Sequence, residues 1–585
     1  MLCPTGDICN LRDMKSIPVA CAVAALLTGC GGGGSSAPTS PQTGSDPPPV
    51  TTPPPVTTPP PPPSTTSSGD VTTFKNDLAR TGLFGTETTL TPANVNSTSF
   101  GLLHNPQVDG KVDAQPLYLS QLSIGGTAHN VVFVATENAS VYAIDADSGT
   151  TLWKVSLLAS GDKPSGNHSC DQIEPWIGVT ATPVIDRTAG SNGTLYVVAM
   201  SIDTSSNYHQ RLHALDVTTG AELLGGPTEI SASYTFNGVS STFEPGQYAE
   251  RAALLLSGGQ IYTSWTSHCD QAPYGGWVIA FKQSDLSRAA LINVAPGSNP
   301  NTTGGPSGQD NGFSRNGPAI WMSGDGPAAD SAGNVYFLTG NGRFETTMDA
   351  NGFPNQGDYG NSFVKLSSTA GKLAVADYFA TFDAVLLSSQ DRDLGSGGEM
   401  LLPDLTDSTS TVKHLVVGAG KDGKIYVVDR DNMGKFNSTK NNIWQEVDGA
   451  LGGDVRSSPA YFNGTLYYGA NGASLRAFSV TSAKVSTTAT SKSAGTFGYP
   501  GTSPVISANG TSNAIVWAHE NAAGGAAVLH AYDASNLATE LYNSTQATGS
   551  RDSFGSGNKF ITPTVAGGKV FVGTTNSVAI FGPLK

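Results

Sequence analysis

The stretch Val131–Val155, VVFVATENASVYAIDADSGTTLWKV, decides the fold. Val132 and Val134, then Val141, Tyr142 and Ile144, form two β-rich runs joined by a turn at Glu137-Asn138-Ala139-Ser140. Asp145 to Gly149 makes a second, Gly-ended turn into a third strand through Trp153. One such antiparallel meander buries a face against each neighbour and cannot cover both by itself, so it must stack with copies of itself.

The copies are present. The hairpin returns at Leu195–Asp216, Ile261–Phe281, Val335–Leu366, His414–Asp429, Leu466–Phe478, Ile515–Asp533 and Val570–Phe581. A short proline-bearing strand precedes most of them: Gln115-Pro116-Leu117, Thr182-Pro183-Val184, Gly317-Pro318-Ala319, Leu402-Pro403, Ser458-Pro459-Ala460, Ser503-Pro504-Val505 and Thr562-Pro563-Thr564. Only the third copy, at Arg251–Leu256, lacks the proline. The last copy stops after its third strand at Phe581-Gly582-Pro583, while a lone strand, Ser99–Asn105, precedes the first. The expectation is an all-β propeller of eight four-stranded antiparallel blades, the last one completed by that N-terminal strand, so that no sheet edge is left open.

Composition agrees with one large repeat domain, residues 71–585, behind a tail. In 585 residues there are 70 Gly and 36 Pro, with aromatics at 8%. A formal net charge of −15 and no basic patch argue against nucleic-acid binding. In the tail, Met14-Lys15 and the apolar run Ile17–Leu27 read as an export signal, with Met14 as the expected start, and Leu27-Thr28-Gly29-Cys30 reads as a lipobox. Residues 1–30 are thus expected to be a lipoprotein signal peptide with lipid on Cys30, placing the protein on the periplasmic face or at the bacterial outer membrane. The run is too short to span a membrane. Residues 31–70, rich in Pro, Ser, Thr and Gly, read as a semi-extended tether.

The long insertions, Leu157–Val179, Ser201–Gln210, Thr266–Trp277, Ile292–Trp321, Asn341–Asn361 and Tyr378–Glu399, fall in blades one to five and are expected on one binding face. Two of them carry near-identical motifs, His168-Ser169-Cys170-Asp171-Gln172 and Ser267-His268-Cys269-Asp270-Gln271. Cys170 and Cys269 are the only cysteines of the domain, which in an exported chain implies one disulfide; a His/Cys/Asp metal site is the alternative.

Ala143-Ile144-Asp145-Ala146-Asp147-Ser148-Gly149 followed by Trp153 resembles the pyrroloquinoline-quinone (PQQ) repeat of quinoprotein alcohol dehydrogenases. A more specific resemblance covers Gly317–Gly434. Ile320-Trp321, Leu338-Thr339-Gly340-Asn341, Gly357-Asp358-Tyr359-Gly360-Asn361, Asp391-Arg392-Asp393 and Lys421-Asp422-Gly423 through Asp429-Arg430 fall in that family's order. The resemblance implies PQQ stacked on Trp321 with Lys421 at a quinone oxygen. It implies Ca2+ held by Asn341, with Asp203 as a substitute for the family's Glu ligand, and Asp391 or Asp393 as the base that takes the proton of an alcohol or sugar. The chain departs from the family in having Ser169-Cys170 where the family has adjacent cysteines, and in lacking a Cys-x-x-Cys-His haem motif. Taken singly, Trp321 also suits a core aromatic, Asn341 a hairpin turn, and Asp391 and Asp393 a solvated loop.

Two functions therefore stand at this level. One is a lipid-anchored PQQ- and calcium-dependent alcohol or sugar dehydrogenase. The other is a non-catalytic binding or scaffold propeller of the outer-membrane assembly type, since a blade does not fix an activity. The first requires Trp321, Asn341, Lys421 and at least one of Asp391 and Asp393 to converge within about 15 Å near the axis.

Overall fold

A computed structural model describes residues 69–585, apart from 169, 171–172, 269–274, 297–316, 370 and 521–523. These residues belong to one compact unit, 61–585, built of antiparallel sheets that form an eight-bladed propeller. The first blade is Leu117–Ile124, Thr127–Ala135, Ser140–Asp145 and Thr151–Ser156, the meander read from Val131–Val155 plus the proline-led strand before it. Trp153 docks this blade on the next: its Nε1 donates to the Val217 carbonyl at 3.1 Å and its ring lies over Gly220, where a Cβ would come within 2.8 Å.

Closure follows the expectation. Phe100–His104 pairs antiparallel with Val578–Pro583, with Leu102 opposite Phe581, as the outer strand of the eighth blade. Phe100 packs there against Trp517, Tyr542 and Phe581 at ring distances of 5.4, 5.0 and 6.2 Å.

Two inner strands differ from the proline reading. The fourth blade begins with Ala328–Ala329 behind Pro327, not at Gly317-Pro318-Ala319, and the fifth with Glu399–Leu401, ahead of Pro403. On the axis it is the carbonyls of residues that lead into inner strands that are used, and a proline supplies one as well as any residue; where the leading residue is not proline its N–H is used too, Leu254 N donating to Thr182 O at 3.0 Å and Gly398 N to Ser457 O at 3.3 Å. Lys75 Nζ donates to the carbonyls of Pro459 at 2.5 Å, Pro504 at 3.0 Å and Ser458 at 3.2 Å. Arg80 donates to Pro327 at 2.8 and 3.0 Å and to Leu254 at 3.3 Å.

Those two cations belong to the segment Asp70–Glu87, which touches every blade in turn, at its inner strand or at a residue beside it. Val71 pairs with Tyr118 of blade one, and Ile185 of blade two donates to Thr72. Arg80 reaches Leu254 of blade three, Ala329 of blade four donates to Leu78, and Leu401 of blade five to Ala79. Tyr461 of blade six donates to Thr81, Ile506 of blade seven to Gly82, and Gly568 of blade eight to the Glu87 carboxylate. Lys75 and Arg80 are buried with Asp325 and Glu399 in the same axial layer. Burial lowers the Lys75 ammonium to about 7 despite the attraction of Asp325 and Asp77.

Within each blade, the second-to-third-strand turns and the links from one blade to the next emerge at the same end, because the four strands alternate in direction. The insertions that are described lie at that end. Asp70, bonded to Ser120 and Arg187, lies toward the other.

Candidate functional site

The fourth blade supplies the first half of the site. Its second strand, Val335–Leu338, runs on through Thr339-Gly340-Asn341, held to the third strand by Thr339 N to Ser362 O at 2.9 Å and Asn361 N to Gly340 O at 2.9 Å. Gly342 follows at φ 155, where a Cβ would lie 2.5 Å from Pro318 N, so only glycine lets the tip pack against the strand that leads to Trp321. At Gly340 a Cβ would come within 3.0 Å of Asp393 Oδ1 and 3.4 Å of Trp321 Nε1. The absent side chain leaves Trp321 and Asp393 side by side.

The link from blade four to blade five supplies the acids. A short helix, Ala384–Ser389, ends in Asp391 at φ 55. Asn361 pins this link in place: its Nδ2 donates to Ser388 Oγ at 2.9 Å and its Oδ1 accepts from Leu394 N at 2.9 Å. Asp393 Oδ1 accepts from Asn341 N at 2.5 Å, and Asp391 Oδ1 from Asn341 Nδ2 at 2.8 Å. Lys421, from the turn after the second strand of blade five, places Nζ 2.7 Å from Asp391 Oδ1 and 2.6 Å from Asp393 Oδ2. Burial works to lower the Lys421 ammonium, but Asp393 and Asp391 outweigh it and hold it above its ordinary range. Asp393 is 10% exposed with both oxygens bonded; Asp391 is 53% exposed and its Oδ2 accepts no hydrogen bond among the described residues.

Trp321, Asn341, Asp391, Asp393 and Lys421 therefore converge as the resemblance requires. Asp203 does not join them. Its carboxylate is taken up inside its own hairpin turn by Ser205 N, Asn207 N and Asn207 Nδ2 at 2.8, 2.8 and 2.9 Å, and by His209 at 3.5 Å. The Asn341 amide is meanwhile bonded to Asp391 and Asn361. The cation that the paired carboxylates hold here is the Lys421 ammonium. Among the described residues no group of three or more His, Cys, Asp or Glu side chains could hold a metal ion.

The floor beside the cluster escaped the sequence reading. The Trp321 ring meets Phe560 of blade eight edge to face at 5.9 Å, and Phe560 meets Tyr499 of blade seven at 6.2 Å. Blades four and eight are opposite in an eight-membered ring, so the Trp321–Phe560 contact crosses the axis. Arg251 adds a second crossing, donating to Thr180 O at 2.9 Å and Phe560 O at 3.3 Å. The signal was present: Asp113, Thr180, Arg251, Arg456 and Phe560 each stand three residues before the residue that leads into, or opens, an inner strand or next to it.

Cys170 is buried; Cys269 lies outside the described residues. The two motifs around them meet, with His168 and His268 stacked at 4.2 Å and 7°.

Residues 111–223 match the PQQ_2 family model, described as outer membrane protein assembly factor BamB. No curated protein matches the chain. Among solved structures, quinohemoprotein alcohol dehydrogenase from Comamonas testosteroni is similar at TM-score 0.56 and 16% identity, over 88% of this chain and 80% of that one. Quinohemoprotein alcohol dehydrogenase ADHIIG from Pseudomonas putida HK5 gives TM-score 0.56 at 13% identity over 88% and 80%. A europium-containing methanol dehydrogenase gives 0.52 at 14% over 88% and 98%. At such identities the likeness speaks to the fold. The fold is thereby defined: an eight-bladed β-propeller with the architecture of the quinoprotein dehydrogenases, of which residues 111–223 match the PQQ_2 model.

Proposed function

We propose that the protein is an exported quinoprotein-type oxidoreductase that takes an alcohol or sugar at the Trp321–Lys421 site and is tethered by lipid on Cys30 through the Pro-rich segment. The observation that carries the reading is the joining of Asn341, Asp391, Asp393 and Lys421 in one bonded cluster beside Trp321, from separate segments of the stretch 321–421. The partly exposed Trp321 suits a flat ring and Lys421 an anionic oxygen, so PQQ fits the aromatic and cationic part of the site. Asp203 is held in its own turn, apart from the cluster, and does not complete a calcium shell with Asn341. PQQ, when bound, supplies the hydride acceptor.

The chain's own residues would act as follows. Trp321 and Phe560 form an apolar floor. Lys421 offers a fixed ammonium to an oxygen that gains charge, in place of a metal. Asp391, through its unengaged Oδ2, takes the hydroxyl proton, while Asp393 is occupied in holding Lys421 and the Asn341 backbone. The test is dye reduction by purified protein supplied with PQQ, across a panel of primary alcohols and aldoses, with and without added Ca2+. Turnover with PQQ is expected, and loss of it in Asp391→Asn. No turnover with any substrate removes the catalytic reading.

A scaffold propeller is the second reading. It is favoured by the match of residues 111–223 to the assembly-factor model and by an internal cation where a metal would sit. PQQ binding without turnover would not distinguish it; absence of binding would select it.

We also assign the partner of Cys170 to Cys269, on the strength of the stacked His168 and His268. Thiol titration of unfolded, unreduced mature domain should find neither cysteine reactive. Two free thiols would contradict the pairing.

A further inference from the structure

Arg456 and Tyr499 border the cluster without sharing its bonds. Their place follows from a ring of contacts that closes on itself. The Trp321 ring meets Phe560 at 5.9 Å, Phe560 meets Tyr499 at 6.2 Å, and the Arg456 guanidinium lies over the Tyr499 ring at 5.1 Å. From Arg456 the ring returns through the backbone. Val455 N donates to Gly420 O at 2.9 Å, next to Lys421, and Val455 O accepts from Ser396 Oγ at 2.7 Å, which also donates to Asp393 O at 2.9 Å. Lys421 is paired with Asp393, and Asp393 lies beside Trp321 across Gly340. Arg456 and Lys421 each stand one residue on from the bonded Val455–Gly420 pair, so their Cα atoms lie within about 14 Å and both side chains can reach one small molecule.

Arg456 is fixed along one edge only. Its Nε donates to Asp454 Oδ2 at 2.6 Å, and Asp454 Oδ1 accepts from Asn471 Nδ2 at 2.9 Å. Among the described residues its Nη1 and Nη2 find no polar partner but Tyr499, and Asn471 Oδ1 accepts no hydrogen bond. Asn471 lies between Thr465–Gly469 and Leu475–Thr481, in the second-to-third-strand turn of blade six, at the end that carries the insertions. The Arg456 and Asp454 side chains are each 25% exposed and Tyr499 is 40% exposed, so the donors and the ring reach solvent as Asp391 does.

An exposed aromatic ring flanked by a fork of donors and an amide acceptor matches a molecule with one apolar face and several hydroxyls. A sugar ring has both: its C–H bonds make a face that packs on an aromatic, and its neighbouring hydroxyls each donate and accept. Asp454 neutralises Arg456, so the pair offers hydrogen bonds rather than net charge, which suits hydroxyls over a carboxylate. A short-chain alcohol has a single hydroxyl, committed to Asp391, and leaves the fork and the amide unused.

We propose that Tyr499, Arg456 and Asn471 form a subsite that holds the non-reacting hydroxyls of an aldose while one hydroxyl is presented to Asp391, so that the substrate class is a sugar rather than a short-chain alcohol. The reaction rests on the quinoprotein reading; the binding is a property of the free protein. These residues touch the substrate away from its reacting atoms, and such binding is the same in the ground and transition states, so it acts on KM.

The experiment measures binding to quinone-free protein by isothermal titration calorimetry, with D-glucose, D-galactose and L-arabinose and with 1-propanol, for wild type, Arg456→Gln, Arg456→Lys and Tyr499→Leu. The PQQ-loaded proteins are then compared by KM and kcat over the same panel. Wild type is expected to bind at least one aldose about tenfold or more tighter than 1-propanol. Arg456→Gln and Tyr499→Leu should each cut that preference about tenfold, with Arg456→Lys between, since an ammonium keeps the charge and loses the fork. In the loaded protein the loss should fall on KM and not on kcat. Absence of aldose binding, equal binding of aldoses and 1-propanol by wild type, or a preference that all three variants keep, overturns the subsite. So does a fall in PQQ affinity in Arg456→Gln that matches the fall for the aldose, which assigns the arginine to the quinone. Failure of the oxidoreductase reading is distinct: wild type that binds an aldose through Arg456 but neither binds PQQ nor reduces dye loses the reaction and keeps the subsite. The comparison of aldose with 1-propanol is read on the wild type, so the test survives a variant that fails to fold.

Discussion

A chain shortened to begin at residue 106 is expected not to yield soluble monomer, whereas one shortened to begin at residue 69 should melt as the full chain does. The first deletion removes both the outer strand of the eighth blade, with Phe100 in its aromatic cluster, and the axial segment that bonds to all eight inner strands. It leaves Val578–Pro583 as an open edge and eight inner strands without their axial partner. Within that segment, Lys75→Met strips a charged donor from three carbonyls and should cost about 3 kcal/mol, since hydrogen bonds to charged groups contribute about 1.5–3 kcal/mol each but are not additive. Size-exclusion chromatography and thermal unfolding measure both effects. A folded, monomeric 106–585 would refute closure as the source of stability.

Lys421→Met should reduce quinone affinity and turnover by about 100-fold or more, the usual scale for removing one charged donor from a preorganised site. It leaves Asp391 and Asp393 facing each other without a cation, in a loop held independently by Asn361. The global fold should survive. The pH dependence is also fixed. Lys421 is held above its ordinary range, so its ion-pair contribution is complete below the unfolded value and lost only as pH rises through the higher folded one. No alkaline fall in quinone binding due to this group is expected below about pH 10. A fall near neutrality would show that Lys421 is not the group in contact.

The blades were legible because a period-2 pattern with Gly-ended turns repeats along the chain, and because the spare strand at one end and the missing one at the other match. The inner strands were harder to place. Ala328–Ala329 is too short to show alternation, and Pro318 offered the same local signal as Pro327. Asp70–Glu87 shows no blade periodicity: only Leu83–Phe84 pairs as a strand, parallel to Ile506–Ser507 of blade seven, and the rest takes its register from carbonyls supplied by residues hundreds of positions away. Within the site, Trp321, Asn341, Asp391, Asp393 and Lys421 were found through their order in the chain. Asp203 was misplaced because an Asp near a strand end is equally well used by its own turn, as it is here. Phe560 and Arg251 were missed because the three-residue spacing they share with Asp113, Thr180 and Arg456 shows only once the inner strands have been placed.

The central claim is that the Trp321–Lys421 cluster is a quinone site. Its most direct measurement is equilibrium binding of PQQ to metal-free protein, followed by tryptophan quenching and by dialysis, for wild type, Lys421→Met and Trp321→Leu. Binding at micromolar PQQ that is weakened by about two orders of magnitude in Lys421→Met and clearly weakened in Trp321→Leu is the expected result. No binding to the wild type, or binding that both substitutions leave intact, would contradict it.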